Sequence, residues 1–168
     1  MVKEISYVSP VVHYLTINGK YLTPNNSFFP PSAITGTLGA GSTLTDWRAT
    51  PNIKELAINL TIQELSGISP SLAINLLILD PIESSNGIST PGSNPPLVTL
   101  PIVSGSSPLT STGVVRFTIS RSGEATAWVN GAQTALGSFP VPFKWQLEFV
   151  VGGSGTTLGV IGTYEGRE

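Results

Sequence analysis

Cysteine is absent from the chain. That excludes disulfides and thiolate metal sites, and it removes the usual clue to redox compartment. Histidine occurs once, at His13, and methionine once, at Met1. Charge is scarce: Asp, Glu, Lys and Arg make up 11% of the 168 residues, against roughly 25% in ordinary soluble domains. The net charge is −2 and no basic cluster accompanies it, so there is no electrostatic case for a nucleic-acid partner. The longest apolar run, Leu72–Leu79, is interrupted by Asn75 and falls far short of a membrane span. The opening residues Met1–Tyr7 contain no apolar stretch of the signal-peptide type. Synthesis in the cytoplasm, without export by a cleaved signal, is the expectation.

Apolar residues are 40% of the chain, enough for one packed domain over residues 1–168. A surface short of charge must be covered by Ser, Thr, Asn, Gly and Pro, or hidden against other subunits. The 14 prolines, with no Cys and a single Met, suit a chain exposed to heat or oxidation, so thermostability is expected.

No helical period stands out, and strand signals recur between Gly, Pro, Asn and Ser clusters. Val11–Ile17, Asn18-Gly19 and Lys20–Leu22 read as a hairpin with a type I′ turn, because both turn positions need positive φ. Thr23–Ser32 holds three prolines around Phe28-Phe29, which rules out a central strand. Residues 1–33 are therefore expected to be a hairpin followed by a Pro-rich extended arm. Ala33–Leu38 reads as a short strand and Gly39–Pro51 as a loop carrying Asp46, Trp47 and Arg48. Ile53–Pro81 reads as a long hairpin. Leu56, Ile58, Leu60 and Ile62 alternate on one side of a turn at Ser66–Pro70, and Leu72, Ile74, Leu76 and Ile78 alternate on the other. Leu77 and Leu79 make its far end apolar on both faces, so that end should be covered twice. Glu83–Pro96 is a polar loop. Leu97–Val103 is an edge or bulged strand because of Pro101. Val114–Ser120, Glu124–Val129 and Gln133–Leu136 follow, the last two joined by Asn130-Gly131. Phe143–Val151, with Phe143, Trp145, Leu147, Phe149 and Val151 inward, and Thr157–Tyr164 complete eight to ten strands. The expected fold is all-β: an antiparallel β-sandwich or single β-barrel, of jelly-roll type.

Catalytic constellations are hard to assemble from these residues. His13 has no nucleophile or acid near it in sequence, so a structural role is the simpler reading. Glu64 and Asp80 lie at opposite ends of the expected hairpin, and Glu124 and Glu148 take outward strand positions, so no carboxylate pair is set across a cleft. Asp80, Glu83 and Asn86 lack the dense acidic spacing of a calcium loop, and one histidine without cysteine makes no zinc site. Asn25 and Asn59 match the glycosylation pattern by chance. No cofactor, no metal and no enzymatic activity are expected. Trp145 fits an inward position. Trp128 is out of phase with Ala125, Ala127 and Val129, and Trp47 lies in a loop between Asp46 and Arg48. Phe28, Phe29, Trp47, Leu77, Leu79 and Trp128 are therefore the candidate interface residues. A weaker alternative is that the tryptophans stack on sugar.

The segment Ser66-Gly67-Ile68-Ser69-Pro70 followed by an apolar strand ending in Asp80-Pro81 resembles a pattern of small β-barrel structural proteins of bacteriophage particles. It covers about thirty residues. The whole chain, all-β, weakly charged and with a proline-rich arm, is similar to a single jelly-roll capsid or decoration protein of a thermophilic tailless phage. That resemblance implies a virion subunit, made in the host cytoplasm, that assembles with itself and with other capsid proteins and has no catalytic residues. The alternative is a carbohydrate-binding or adhesin module of a receptor-binding spike.

Overall fold

The computed structural model describes residues 12–22, 41–79 and 98–168. Among them every regular element is a strand: β1 Val12–Tyr14, β2 Thr16–Ile17, β3 Lys20–Tyr21, β4 Gly41–Leu44, β5 Arg48–Ala49, β6 Glu55–Leu79, β7 Val98–Val103, β8 Gly113–Ile119, β9 Glu124–Val129, β10 Ala132–Ser138 and β11 Lys144–Arg167. Nine of them form one antiparallel sheet with the path β1-β11-β6-β8-β9-β10; β4 and β5 add to β11, and β7 adds to β6. The strands β2 and β3 form a separate hairpin. The sheet does not close on itself, so of the two expected architectures the molecule takes the β-sandwich.

The expected hairpin at Ile53–Pro81 does not form. Its two halves are one strand, β6, and both pair with β11: Glu55–Ser66 with Thr157–Arg167, and Ile68–Leu79 with Lys144–Ser154. Likewise the strands expected at Phe143–Val151 and Thr157–Tyr164 are not separate: Lys144–Val151 and Thr157–Tyr164 both belong to β11. The residues that suggested a turn, together with two glycines of β11, instead make a corner. Gly67 (φ 136°) and Ser69 (φ 52°) on β6, and Gly153 (φ 96°) and Gly155 (φ 60°) on β11, leave the usual strand conformation. The register slips at the same place. Such bulges bend and twist a ribbon without ending its pairing. Close approach demands glycine here: a Cβ on Gly153 would lie 2.7 Å from the Ser69 carbonyl oxygen, and one on Gly67 2.9 Å from Thr156 Cα.

The bend folds the ribbon over on itself. A straight strand of β11's length would run about 80 Å, yet Trp145 and Tyr164, near its two ends, meet edge to face with centroids 5.3 Å apart. One leaf of the sandwich therefore holds β1, the second half of β11, the first half of β6, β8, β9 and β10. The other holds β4, β5, the first half of β11, the second half of β6 and β7. The first leaf turns Leu56, Ile58, Leu60, Val115, Phe117 and Ile119 inward. These share one buried cluster with Leu72, Ile74, Leu76, Trp145, Leu147 and Phe149 from the second.

Several expectations hold. Asn18 (φ 50°) with Gly19, and Asn130 (φ 49°) with Gly131, turn as read. Pro101 sits in β7, which among the described strands pairs only with β6 and slips register there. Others need correction. Gly39–Pro51 is not simply a loop, because β4 and β5 extend the sheet along β11. Thr45 makes this possible: its N–H donates to the Leu147 carbonyl (2.9 Å), and its hydroxyl accepts the Leu147 N–H (2.8 Å). Phe143 is not inward but 40% exposed, since it precedes β11 and is not held by its alternation. Gln146, which alternation with Trp145 and Leu147 puts on the outward face, is only 6% exposed. The hairpin β2–β3 packs into the core: Leu15, Ile17 and Leu22 are buried, and Gly162 bonds to Leu15 and Leu22 through its backbone. The arm expected over residues 23–33, the short strand expected at Ala33–Leu38 and the loop at Glu83–Pro96 lie outside the described residues.

Candidate functional site

Two groupings of functional side chains emerge. The first pins the β2–β3 turn to the edge of the second leaf. The Asp46 carboxylate accepts from the Thr16 hydroxyl (2.6 Å) and from the N–H groups of Asn18 (2.9 Å) and Gly19 (2.8 Å). Arg48 donates to the Thr16 hydroxyl in turn. Partial burial raises the Asp46 carboxyl, but the hydrogen bonds from Thr16, Gly19 and Asn18, with the nearby Arg48 charge, outweigh it and leave Asp46 below its ordinary value. The Arg48 guanidinium lies 6.0 Å from the Tyr164 ring centre, and His13 stacks on that ring at 5.2 Å. Asp46 fixes a turn and His13 packs on a tyrosine. This grouping closes the gap between the leaves.

The second grouping lies on the outer face of the first leaf. Register places Tyr14, Thr163, Asn59, Arg116, Trp128 and Gln133 side by side, one from each of β1, β11, β6, β8, β9 and β10. The alternation of β9 decides the orientation of its tryptophan: Ala125 and Ala127 are buried, so Trp128 points out. The Arg116 guanidinium sits 5.9 Å from its ring centre, within cation–π range. Beside this row a cleft of about 220 Å³ is lined by Glu55, Ala57, Arg116, Thr118, Glu165 and Arg167, among others. Arg167 and Glu55 pair across it at 3.9 Å, an exposed contact that contributes little to stability.

The structure scatters the candidate interface residues rather than gathering them. Phe28 and Phe29 lie outside the described residues. Trp47 is half-buried with the Lys144 ammonium 5.7 Å from its ring centre. Leu77 is 8% exposed, covered on both faces within the single chain as its pattern required, which leaves little of it for a partner. The backbone of Leu79 pairs with Lys144, and its side chain lies outside the described set. Trp128 alone stands in a surface grouping. Sequence reasoning missed Arg116, Asn59, Thr163 and Arg167 beside it. It also missed Ile68, 74% exposed at the corner, where a turn residue would have been exposed too. Among the described residues no cluster of three or more His, Asp or Glu could hold a metal, and no helix is long and apolar enough to cross a membrane.

Comparison of the sequence with protein-family models and with curated proteins finds no match.

Proposed function

We propose that this chain is a virion structural subunit, a capsid or decoration protein that assembles with itself and with other shell proteins. The observation that carries the reading is β10. It is the outermost strand of the first leaf among the described residues. Six of its seven residues are exposed, and Ala132–Ser138 contains no charge and no proline. An edge strand presents unpaired backbone donors and acceptors, and monomeric proteins usually guard it with lysine, proline or a covering loop. An unguarded edge is a template for a neighbour's strand. Exposed apolar side chains at Leu44, Val150, Val114 and Ile68 add surface that a shell would bury. The low charge of the whole chain fits the same role.

The test is the mass distribution of the full chain across a concentration series, beside an Ala135→Lys variant. The reading expects concentration-dependent oligomers that the added lysine abolishes while the melting temperature stays unchanged. Monomers of both proteins at every concentration would refute it.

A further inference from the structure

We propose that the outer face of the first leaf is a binding site for a neutral saccharide, with Trp128 as the stacking platform and the cleft beside it as the polar subsite. The proposal is separate from self-assembly: it rests on the sheet face and not on the β10 edge.

The first argument is where the bulk sits. In β9 the inward positions are the small Ala125 and Ala127, while the largest side chain, Trp128, sits half-buried on the outer face with the Arg116 guanidinium 5.9 Å from its ring centre. Core burial would favour the reverse arrangement, since a tryptophan inside contributes far more than one outside. An indole on a flat sheet face offers an apolar plane to a ligand with a complementary flat apolar face. A pyranose presents such a face through its ring C–H groups.

The second argument is the polar chemistry of the cleft. Arg116 and Arg167 supply planar sets of donors, and Glu55 and Glu165 supply acceptors. The two cations balance the two anions, so the cleft has no preference for an ionic ligand. A polyanion such as nucleic acid, or a sulfated or sialylated glycan, would meet two carboxylates. A protein partner would ordinarily bring an apolar centre; of the cleft's apolar lining residues Leu56 and Ile119 are buried in the core, which leaves the small Ala57 on the outward rows. Neutral sugar hydroxyls both donate and accept, so they can use the arginines and the glutamates together. At about 220 Å³ the cleft is below the roughly 300–1,000 Å³ of drug-sized pockets. It suits one sugar unit, with the rest of a short oligosaccharide lying past Arg116 toward Trp128 on the next strand.

The experiment uses the full chain on an array of neutral mannose-, galactose-, glucose- and N-acetylglucosamine-terminated oligosaccharides, with sialylated and sulfated glycans alongside. Calorimetry follows with the best neutral binder. The expected result is neutral binding that Trp128→Ala and Arg116→Ala each weaken about tenfold or more, while Trp47→Ala leaves it intact. Ala57→Phe fills the cleft from β6, between the β8 and β11 lining residues, and should also abolish binding, which keeps the test decisive if Trp128→Ala fails to fold. Retention of no glycan, retention of acidic glycans only, or binding unchanged in Ala57→Phe would overturn the proposal.

Discussion

Asp46 shows how one side chain can set a local geometry. Its carboxylate holds two N–H groups of the Asn18-Gly19 turn and the Thr16 hydroxyl, so replacing it leaves several donors without a partner. Asp46→Ala should cost about 2 kcal/mol, read from chemical denaturation. The pH dependence has a definite sign. A carboxyl held below its ordinary value of 3.8 takes up its proton later in the folded chain than in the unfolded one. Its stabilisation is full above that value and is lost as pH falls through the folded-state titration. Melting temperature measured downward from pH 5 should therefore drop more steeply for the native chain than for Asp46→Asn. Equal slopes would mean the carboxylate contributes nothing. Trp145 makes a different point. It is fully buried, and its Nε1–H has no hydrogen-bond partner among the described residues. An unpaired buried donor is costly, so Trp145→Phe, which removes the donor and part of the ring, should change stability by no more than about 1 kcal/mol. Trp145→Ala, which leaves a cavity, should cost about 3–5 kcal/mol.

At the scale of elements, the corner of the β6–β11 ribbon is the feature on which the sandwich depends. Gly153 combines positive φ with a close approach to the Ser69 and Ile68 carbonyls, so a β-branched side chain there meets both strain and collision. Gly153→Val should lower stability by about 3 kcal/mol or more, while Gly105→Ala, at a position with open space around it, should be nearly neutral. Thermal unfolding of the two variants separates these outcomes. The same corner explains what could be read from the sequence. Period-2 alternation and the two Asn-Gly turns identified β8, β9, β10 and the β2–β3 hairpin, because strand and tight turn are both local. Ser66–Pro70 looked like a turn, because corners and turns draw on the same residues. Only pairing with a distant strand decides between them: β6 finds β11 on both sides of the bend. The outer-face row was illegible for a related reason. The outward position of Trp128 follows from the phase of its own strand. Its neighbours Arg116, Asn59 and Thr163 are set by registers between strands distant in sequence.

Across the whole molecule, the pattern is a well-packed core between two leaves, with an outer surface short of charge and an uncharged outermost strand. Among the described residues the core packs within one chain, and Leu77, out of phase with the core-facing Leu76, is also buried there. Among the described residues, no strand pairs with the far side of β10. The amides of Ala132–Ser138 that point away from β9 test the assembly reading most directly, through their hydrogen exchange at residue resolution and rising protein concentration. The account predicts that these amides exchange fast in dilute protein and become protected as the chain assembles, with the Ala135→Lys variant staying fast throughout. Exchange that remains fast at the highest concentration, or protection that the lysine does not remove, would contradict it.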